Sequence, residues 1–435
     1  MLATRRLLPT THHELGLLWQ ARPAMAGLLV AGLLAGPGGR GPAVRKVPGI
    51  GWVTADPVVA RAVLQDHRSF TILGEGGVGD LWAQILGDWV LDLFDGPGHH
   101  DLRSRSRELF TEASSAELVR GAWGPTLDAV GDRLRSGEAV DVARLGRVLV
   151  GRMMISLLGL PAPDGRAAGG PGWPDDEGAL TAFATGERLA TVALGTAGST
   201  RLSPAQVATA RGLVAELTAG VPEGWRSAPP EQLLGRCREL GLGLEETTGL
   251  ASLLMVAGTE TSASAIARTT ALLVDTGEQD RLLARLGSGS TPSGSLLPGE
   301  DDPIENAVRE GLRMTSPASV VGRGVAADVE VGGARLRAGE RIMLLVWSAN
   351  AAVGPFRADR PYVRETRQLW FGAGRHLCLG AALARAEIGA VLRTLWDDGV
   401  PLRIVRRRAQ RGVLIPSYAE LLVARNPGAG SVRDA

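Results

Sequence analysis

Ten residues, Phe371-Gly-Ala-Gly-Arg-His-Leu-Cys-Leu-Gly380, constrain this 435-residue chain more than any other stretch. They set Cys378 in a Gly-rich loop immediately before a helical pattern, Ala381-Ala-Leu-Ala-Arg-Ala-Glu-Ile388. Gly372, Gly374 and Gly380 let the backbone take positive φ and approach a partner closely. The chain has only two cysteines, Cys237 and Cys378, so neither a disulfide framework nor a thiolate cluster is available. The following helix directs its first free N–H groups and its positive dipole end at the sulfur, which favours thiolate. A lone cysteine is most often a small buried hydrophobe. As a nucleophile it requires a His with an Asn or Asp, and no such set stands at plausible spacing. A thiolate in a loop that can cradle a flat partner suggests an axial ligand to haem iron.

The composition permits a large core. Hydrophobic residues make up 45% and charged residues 21%, an ordinary globular balance. The net charge of +1 implies no global attraction to nucleic acid or to a membrane surface, so any electrostatic partner site has to be a local patch. Two widely separated cysteines suit a reducing cytosol. Near the N-terminus Arg5-Arg6 precede an apolar run, Ala24 to Ala35, which is shorter than the roughly 20 residues of a membrane span. It has the length of a signal-peptide core but starts late and follows Pro23, so a short core helix is expected.

Val44 to Thr54 reads as a β-hairpin turning at Pro48-Gly49, and Asp56-Pro57 opens a helix through Leu64. Residues 70–80 read as a loop, followed by an amphipathic piece, Leu81 to Val90. Asp141 to Leu160 is a strongly apolar helix ended by Pro161; a Gly/Pro/Asp-rich loop is expected over 162–178. Leu244 to Val274 is the longest helical pattern and is apolar on most faces. Its interior Glu, Thr and Arg argue for burial in protein. A Gly/Ser/Pro linker follows over 286–302, then a helix from Ile304 to Arg313. Val329 to Leu336 is a hairpin with a Gly-Gly turn, Arg341 to Trp347 a buried strand, and Leu402 to Ala424 further strands. The predicted division is an N-terminal segment and first helix over 1–43, then one domain over 44–435. Its β-rich lobe is drawn from about 44–54, 329–348 and 402–424.

The spacing Phe-x-x-Gly-x-x-x-Cys-x-Gly resembles the haem-binding signature of the cytochrome P-450 family. Three more motifs follow the family's order. Asp95-Gly-Pro-Gly-His-His-Asp-Leu-Arg103 resembles its early helix, which puts His99 and Arg103 on positions that contact haem propionates. Arg323, six residues beyond Pro317, and His376, two before the cysteine, fall on two further such positions. Cationic donors are what a buried dianionic ligand demands; singly, each of these residues reads as a solvated surface charge. Ala257-Gly258-Thr259-Glu260-Thr261 resembles the family's proton-delivery motif, with Gly258 opening room for a ligand and loosening the helix, Thr261 holding a water, and Glu260 feeding protons from solvent. Read alone, the same stretch is a kink with Glu260 in a salt bridge. Glu310-Gly-Leu-Arg313 resembles the Glu-x-x-Arg helix, whose two side chains share a face at i, i+3, and Arg360 is the expected third member of that brace. Ala349-Asn-Ala-Ala352 departs from the usual Ala-Asn-Arg-Asp and puts local packing in question.

The resemblance implies a mainly α fold with small β-sheets, the triangular-prism fold of the cytochrome P-450 family. It implies haem b between the Gly258 helix and Cys378, in contact with Ala257, Phe371, Gly372, Gly380 and Ala384. The implied reaction inserts one atom of O2 into a lipophilic small organic substrate, with secondary metabolism as the expected setting. Electrons are expected from a separate ferredoxin or flavodoxin-like donor on the proximal face, where Arg103, Arg105, Arg107, Arg375 and Arg385 suggest a basic patch. By position the pocket involves Leu81, Trp82, Trp89, Val90, Leu253, Val256, Ser319, Val321 and Ile415. No nucleic acid, membrane anchor or fused reductase is expected, and the location expected is cytoplasmic. Epoxidation, ring coupling or dehydration at the same haem, and a catalytically silent binding homologue, remain alternatives; the intact acid–alcohol pair weighs against the non-oxygenating ones.

Overall fold

Helix starts in this chain follow its capping residues. In the computed structural model, which describes residues 8–36, 42–75, 77–87, 89–158, 176–193, 201–230, 232–287 and 302–426, Asp56 accepts from the N–H groups of Val58 and Val59. Asp141 accepts from those of Ala143 and Arg144, and Asp302 from that of Ile304. Ser203 and Gln206 form a reciprocal capping box. Each cap satisfies N–H groups that have no partner inside the helix.

The chain begins with α1 (His12–Ala21) and α2 (Pro23–Leu34), then β1 (Val44–Val47), β2 (Gly51–Thr54), α3 (Pro57–Gln65) and β3 (Phe70–Thr71). There follow α4 (Val78–Leu86), α5 (Trp89–Phe94), α6 (His99–Arg107), α7 (Glu112–Arg135), β4 (Val140–Asp141) and α8 (Val142–Leu157). Next come α9 (Asp176–Ala193), α10 (Pro204–Leu217), α11 (Val221–Ser227), α12 (Leu233–Glu239), α13 (Leu244–Asp275) and α14 (Glu278–Gly287). The last third holds α15 (Pro303–Thr315), β5 (Val321–Val325), β6 (Val329–Val331), β7 (Ala334–Leu336), β8 (Arg341–Leu344), α16 (Val346–Ala351), α17 (Ala381–Leu395), β9 (Leu402–Ala409) and β10 (Tyr418–Arg425). The expected mainly α architecture with small sheets is what forms.

The main helix is α13, packed against α8, α9, α15 and α17. It has the length and hydropathy to cross a membrane, but 72% of its most apolar window is buried inside the protein. Its arginine explains part of this. Arg268 is buried and donates through Nε to Glu14 of α1 at 2.9 Å and through Nη2 to the Thr315 carbonyl at 2.7 Å. The N-terminal helix is thereby fastened to the centre of the molecule. α2 is the short core helix expected: Ala26 and Leu29 pack with Leu345, Trp347 and Ala351.

Three expectations need correction. The strand expected over 341–347 ends at Leu344, and Trp347 lies buried in α16; Leu345 N–H bonds to Thr54 O, outside the ladder, and the chain turns into a helix there. The loop expected over 70–80 contains a strand, because Phe70 and Thr71 pair with Val325 and Gly324, and its end is already α4. The pieces assigned to one β lobe belong to three sheets. One is five-stranded in the order β1-β2-β8-β5-β3, β6 and β7 form a separate hairpin, and β9 and β10 pair with β4. Asp141 draws β10 to that third position by accepting from Leu421 N–H at 3.0 Å while also capping α8. The loop expected over 162–178 and the linker over 286–302 fall almost wholly outside the described residues.

Candidate functional site

Two accessible surfaces lie inside the protein. The first is a stripe on α13. Ala257 is exposed and Gly258 and Thr261 half-buried, midway along α13, most of whose residues are buried. These positions recur at helical spacing and so share a face. A Cβ built at Gly258 would meet nothing within 4 Å. The second is the cysteine loop. Cys378 N–H donates to Phe371 O at 2.9 Å, which folds the loop back on itself. Gly372 and Gly374 have φ of +81° and +67°, and a Cβ at Gly374 would come within 2.6 Å of Leu64 O at the end of α3. That position therefore requires glycine. Beside Gly380 a Cβ would again meet nothing within 4 Å. Phe371, Gly372, Gly380 and Ala384 are all half-buried.

Cys378 is a free thiol, accessible although protein surrounds it. Burial pushes the thiol up; the Gly380 N–H and the Arg103 guanidinium pull it down without reversing the shift. The helix start thus acts in the expected direction but is outweighed. Cys237 is buried and pushed up to about 12, an inert core thiol.

Four cationic positions were expected near the cysteine. Arg103 donates to Leu377 O, its Nε has no partner among the described residues, and burial, with Arg107 second, pushes it down to about 10. Arg323 is buried and pushed down to about 10, and its guanidinium donates to the carbonyl of the preceding residue, Gly322, at 2.7 Å. One buried and one half-buried guanidinium, with no carboxylate bonded to either among the described residues, are a donor set suited to an anionic ligand. The histidines differ. His376 Nε2 bonds to Asp95 Oδ1 at 3.0 Å, so the carboxylate it already holds is the protein's own. His99 Nδ1 donates to Leu93 O at 2.9 Å, and its ring lies edge-on to His376 at 5.3 Å. Burial first, then Arg375 and His376, push His99 down to about 4. It is therefore neutral at pH 7, and its other nitrogen is an acceptor.

Asp95 is the residue sequence reasoning passed over. It receives Thr71 Oγ1 at 2.9 Å, Ile72 N–H at 3.2 Å and His376, with Arg375 at 3.7 Å. Burial opposes its charge, but these bonds hold its carboxyl below the usual range. Its place at the head of the Gly-Pro-Gly-His turn marks a turn and gives no sign of these distant partners.

Glu260 and Thr261 are not brought together. Adjacent helical residues point apart. Thr261 Oγ1 donates to Ala257 O at 2.6 Å. Glu260 faces the other way, buried, and accepts from Ile415 N–H at 3.4 Å. Burial, then the charge of Glu187, push it up to about 7. The expected loosening at Gly258 is absent, since α13 runs unbroken through it. A second buried acid went unnoticed in the sequence: Glu387 of α17 accepts from Ser262 Oγ at 2.6 Å, and burial pushes it up to about 7.

The brace is complete. Arg313 donates to both oxygens of Glu310, at 2.7 and 2.6 Å, and Arg360 Nε adds a third bond at 3.0 Å. Arg313 also holds the carbonyls of Asn350, Gly354 and Pro355. Asn350 turns its amide to Ser316 Oγ at 2.8 Å, so the segment that departs from the family pattern is tied down through its backbone.

Among the expected pocket residues, Leu253, Val321 and Ile415 are half-buried, and Val256 is buried beside the stripe. Leu81, Trp82 and Val90 are sealed in the core, not exposed to a pocket. Trp89 fills the space over Gly249, where no side chain would fit. Ser319 is buried and donates to Ser316 O at 2.9 Å. The expected basic patch is largely neutralised. Arg105 pairs with Asp101 at 2.6 Å and with Glu246 at 3.5 Å, and Arg385 pairs with Glu112 and Glu305. Arg107 is exposed and carries no ion pair among the described residues.

Residues 303–396 match the family model described as Cytochrome P450. Putative cytochrome P450 140 of Mycobacterium bovis is 33% identical over 222 residues, 48% of this chain and 47% of that protein. Cytochrome P450-SU2 of Streptomyces griseolus is 32% identical over 200 residues, 45% of this chain and 46% of that protein. The matched stretch thus spans about half the length of these relatives. Among solved structures, epothilone D-bound cytochrome P450epoK superposes with a TM-score of 0.70 at 21% identity, covering 93% of this chain and 96% of the other. A post-tailoring hydroxylase involved in himastatin biosynthesis gives 0.65 at 24%, covering 91% and 96%. The structural likeness establishes the fold.

Proposed function

We propose that the chain is a member of the cytochrome P450 family, whose cofactor is haem b, and that it is a haem-thiolate monooxygenase. It inserts one oxygen atom of O2 into a lipophilic small organic substrate. The observation that carries this reading is Cys378: a free, accessible thiol with protein around it, in a loop that leaves open space beside Gly380 and whose next helix directs an N–H at the sulfur.

Haem b held there supplies O2 activation with two electrons from a protein donor. Cys378 is its ligand, as thiolate; a coordinated thiol is deprotonated outright, which overrides the effect of burial. Arg103 and Arg323 bind its carboxylates. His99 joins them by taking up a proton at the nitrogen that Leu93 does not occupy. His376 orients through Asp95 and keeps Arg375 near the same carboxylate. Phe371, Gly372, Gly380 and Ala384 form the wall on the cysteine side, and Ala257 and Gly258 the wall on the α13 side. Thr261 holds a water at its hydroxyl. Glu260 supplies protons to that water after turning away from Ile415. Glu310, Arg313 and Arg360 fix the segment that leads into the cysteine loop.

The substrate lies against Leu253, Val256, Val321 and Ile415, which are apolar. Solved relatives described with epothilone D and in himastatin biosynthesis support a substrate of secondary metabolism. A ferredoxin or flavodoxin-like protein delivers electrons on the face that carries Arg107. The bacterial relatives support a cytoplasmic setting. The test is turnover with a ferredoxin and its reductase under isotope-labelled O2, using ligands found by spectral screening. One labelled oxygen in the product supports the reading. Product formed without label overturns it.

A further inference from the structure

Glu260 is one of two acids that a single turn holds together. α9 approaches α13 closely at Gly186, where a Cβ would come within 2.8 Å of Thr259 Oγ1. The next residue, Glu187, lies close enough for its charge to act on the Glu260 carboxyl. The turn joining β9 to β10 grips both carboxylates. Gln410 Nε2 donates to Glu187 Oε1 at 2.9 Å, and Ile415 N–H donates to Glu260 Oε2 at 3.4 Å. The two acids differ in exposure. Glu260 is 8% exposed, whereas Glu187 is half-buried and reaches the surface.

Among the described residues, the charges facing Glu260 are few. Glu187 faces it from α9, Arg22 from the junction of α1 and α2, and the β9–β10 turn contributes the Ile415 N–H. The effect of Glu187 exceeds that of Arg22. A buried carboxyl whose main charged neighbour is another carboxylate is poised to hold a proton, not to form a salt bridge.

We propose that Glu187 is the entry carboxylate through which Glu260 exchanges protons with solvent, with the β9–β10 turn keeping the two in register. Glu187 takes one proton from solvent and passes it to the Glu260 carboxylate. Glu260 has by then given its own proton to the water at Thr261. Each transfer moves one proton and no electron; the electrons come separately from the protein donor. The inference rests on the monooxygenase reading for its purpose, but the coupling between the two acids stands apart from it.

The experiment is an infrared titration of the Glu260 carboxyl band in the haem-loaded protein, the band being identified by its loss in Glu260→Gln. In Glu187→Gln the facing charge is gone, and the midpoint is expected to fall by about one pH unit. Hydrogen peroxide released per product is expected to rise several-fold. Glu187→Asp keeps the charge and is expected to restore both toward wild type. An unmoved midpoint in Glu187→Gln overturns the proposal, as does wild-type peroxide release. Failure of the haem-thiolate reading looks different: the wild type would then lack a thiolate spectrum, while the midpoint in Glu187→Gln would still fall.

Discussion

Arg313 grips both oxygens of Glu310 at 2.7 and 2.6 Å, one helical turn apart on α15, with the two side chains 3% and 4% exposed. Removing one partner of a buried pair leaves the other charge uncompensated, at a cost of about 3–5 kcal/mol. Arg313→Ala is therefore expected to lose that much in denaturant unfolding and to purify largely without haem, because the carbonyls of Asn350, Gly354 and Pro355 lose their donor as well. Arg313→Lys keeps the charge but not the two-point geometry, so it should fall between. Wild-type stability in Arg313→Ala would count against the brace.

Arg323 is a different case, since among the described residues no carboxylate is bonded to its guanidinium. Arg323→Ala removes a buried charge and is expected to leave unfolding stability within about 1 kcal/mol of wild type or above it. Haem affinity should drop by about 10–100-fold, the worth of a hydrogen bond to a charged group. Competition for haem with apomyoglobin measures this. Unchanged affinity would remove Arg323 from the set that binds the propionates.

Glu387 makes stability depend on pH. Its carboxyl has an ordinary value of 4.5 and is pushed up to about 7 in the folded chain. Between those values the folded chain keeps a proton that the unfolded chain has lost. The contribution of Glu387 is therefore greatest below about 4.5, falls as pH rises to about 7, and stays lost above it. The shift corresponds to roughly 3 kcal/mol. Glu387→Gln still accepts from Ser262, so it should be more stable than wild type at pH 8 and close to it at pH 5. Parallel pH–stability curves for the two proteins would contradict this.

Thr261→Ala removes the hydroxyl now bonded to Ala257 O. Haem binding and stability should be close to wild type, because the residue borders open space. Peroxide released per electron pair should rise several-fold at the expense of product. An oxygen-electrode and peroxide assay at matched NADPH consumption reads the ratio, and an unchanged ratio would free Thr261 of its role.

What was legible in the sequence follows from how local each signal is. The cysteine loop could be read because its glycines, its thiol and the helix after it are contiguous. The Glu310–Arg313 pair could be read because helical spacing alone puts both side chains on one face. Arg360 was reached only through the family pattern, yet it closes on Glu310 from fifty residues away. The misses are long-range. Nothing near Asp95 announces that it will hold His376, 281 residues later. Nothing in α9 shows that Gly186 will bring Glu187 to α13. The neutrality of His99 depends on burial and then on Arg375 and His376, which come from a distant segment, and it holds against the opposing bond to Leu93 O. The strand over 341–347 failed for a related reason: a short apolar run does not distinguish a strand from a buried helix, and tertiary packing turned its end into α16.

The most direct test of the whole account is the absorption spectrum of the reduced, carbon-monoxide-bound protein, for wild type and for Cys378→His. The wild type should show the red-shifted Soret band of thiolate ligation, and Cys378→His should lose that shift while still binding haem. A wild-type band at the position of histidine-ligated haem, or a red-shifted band that survives Cys378→His, would contradict the assignment of Cys378.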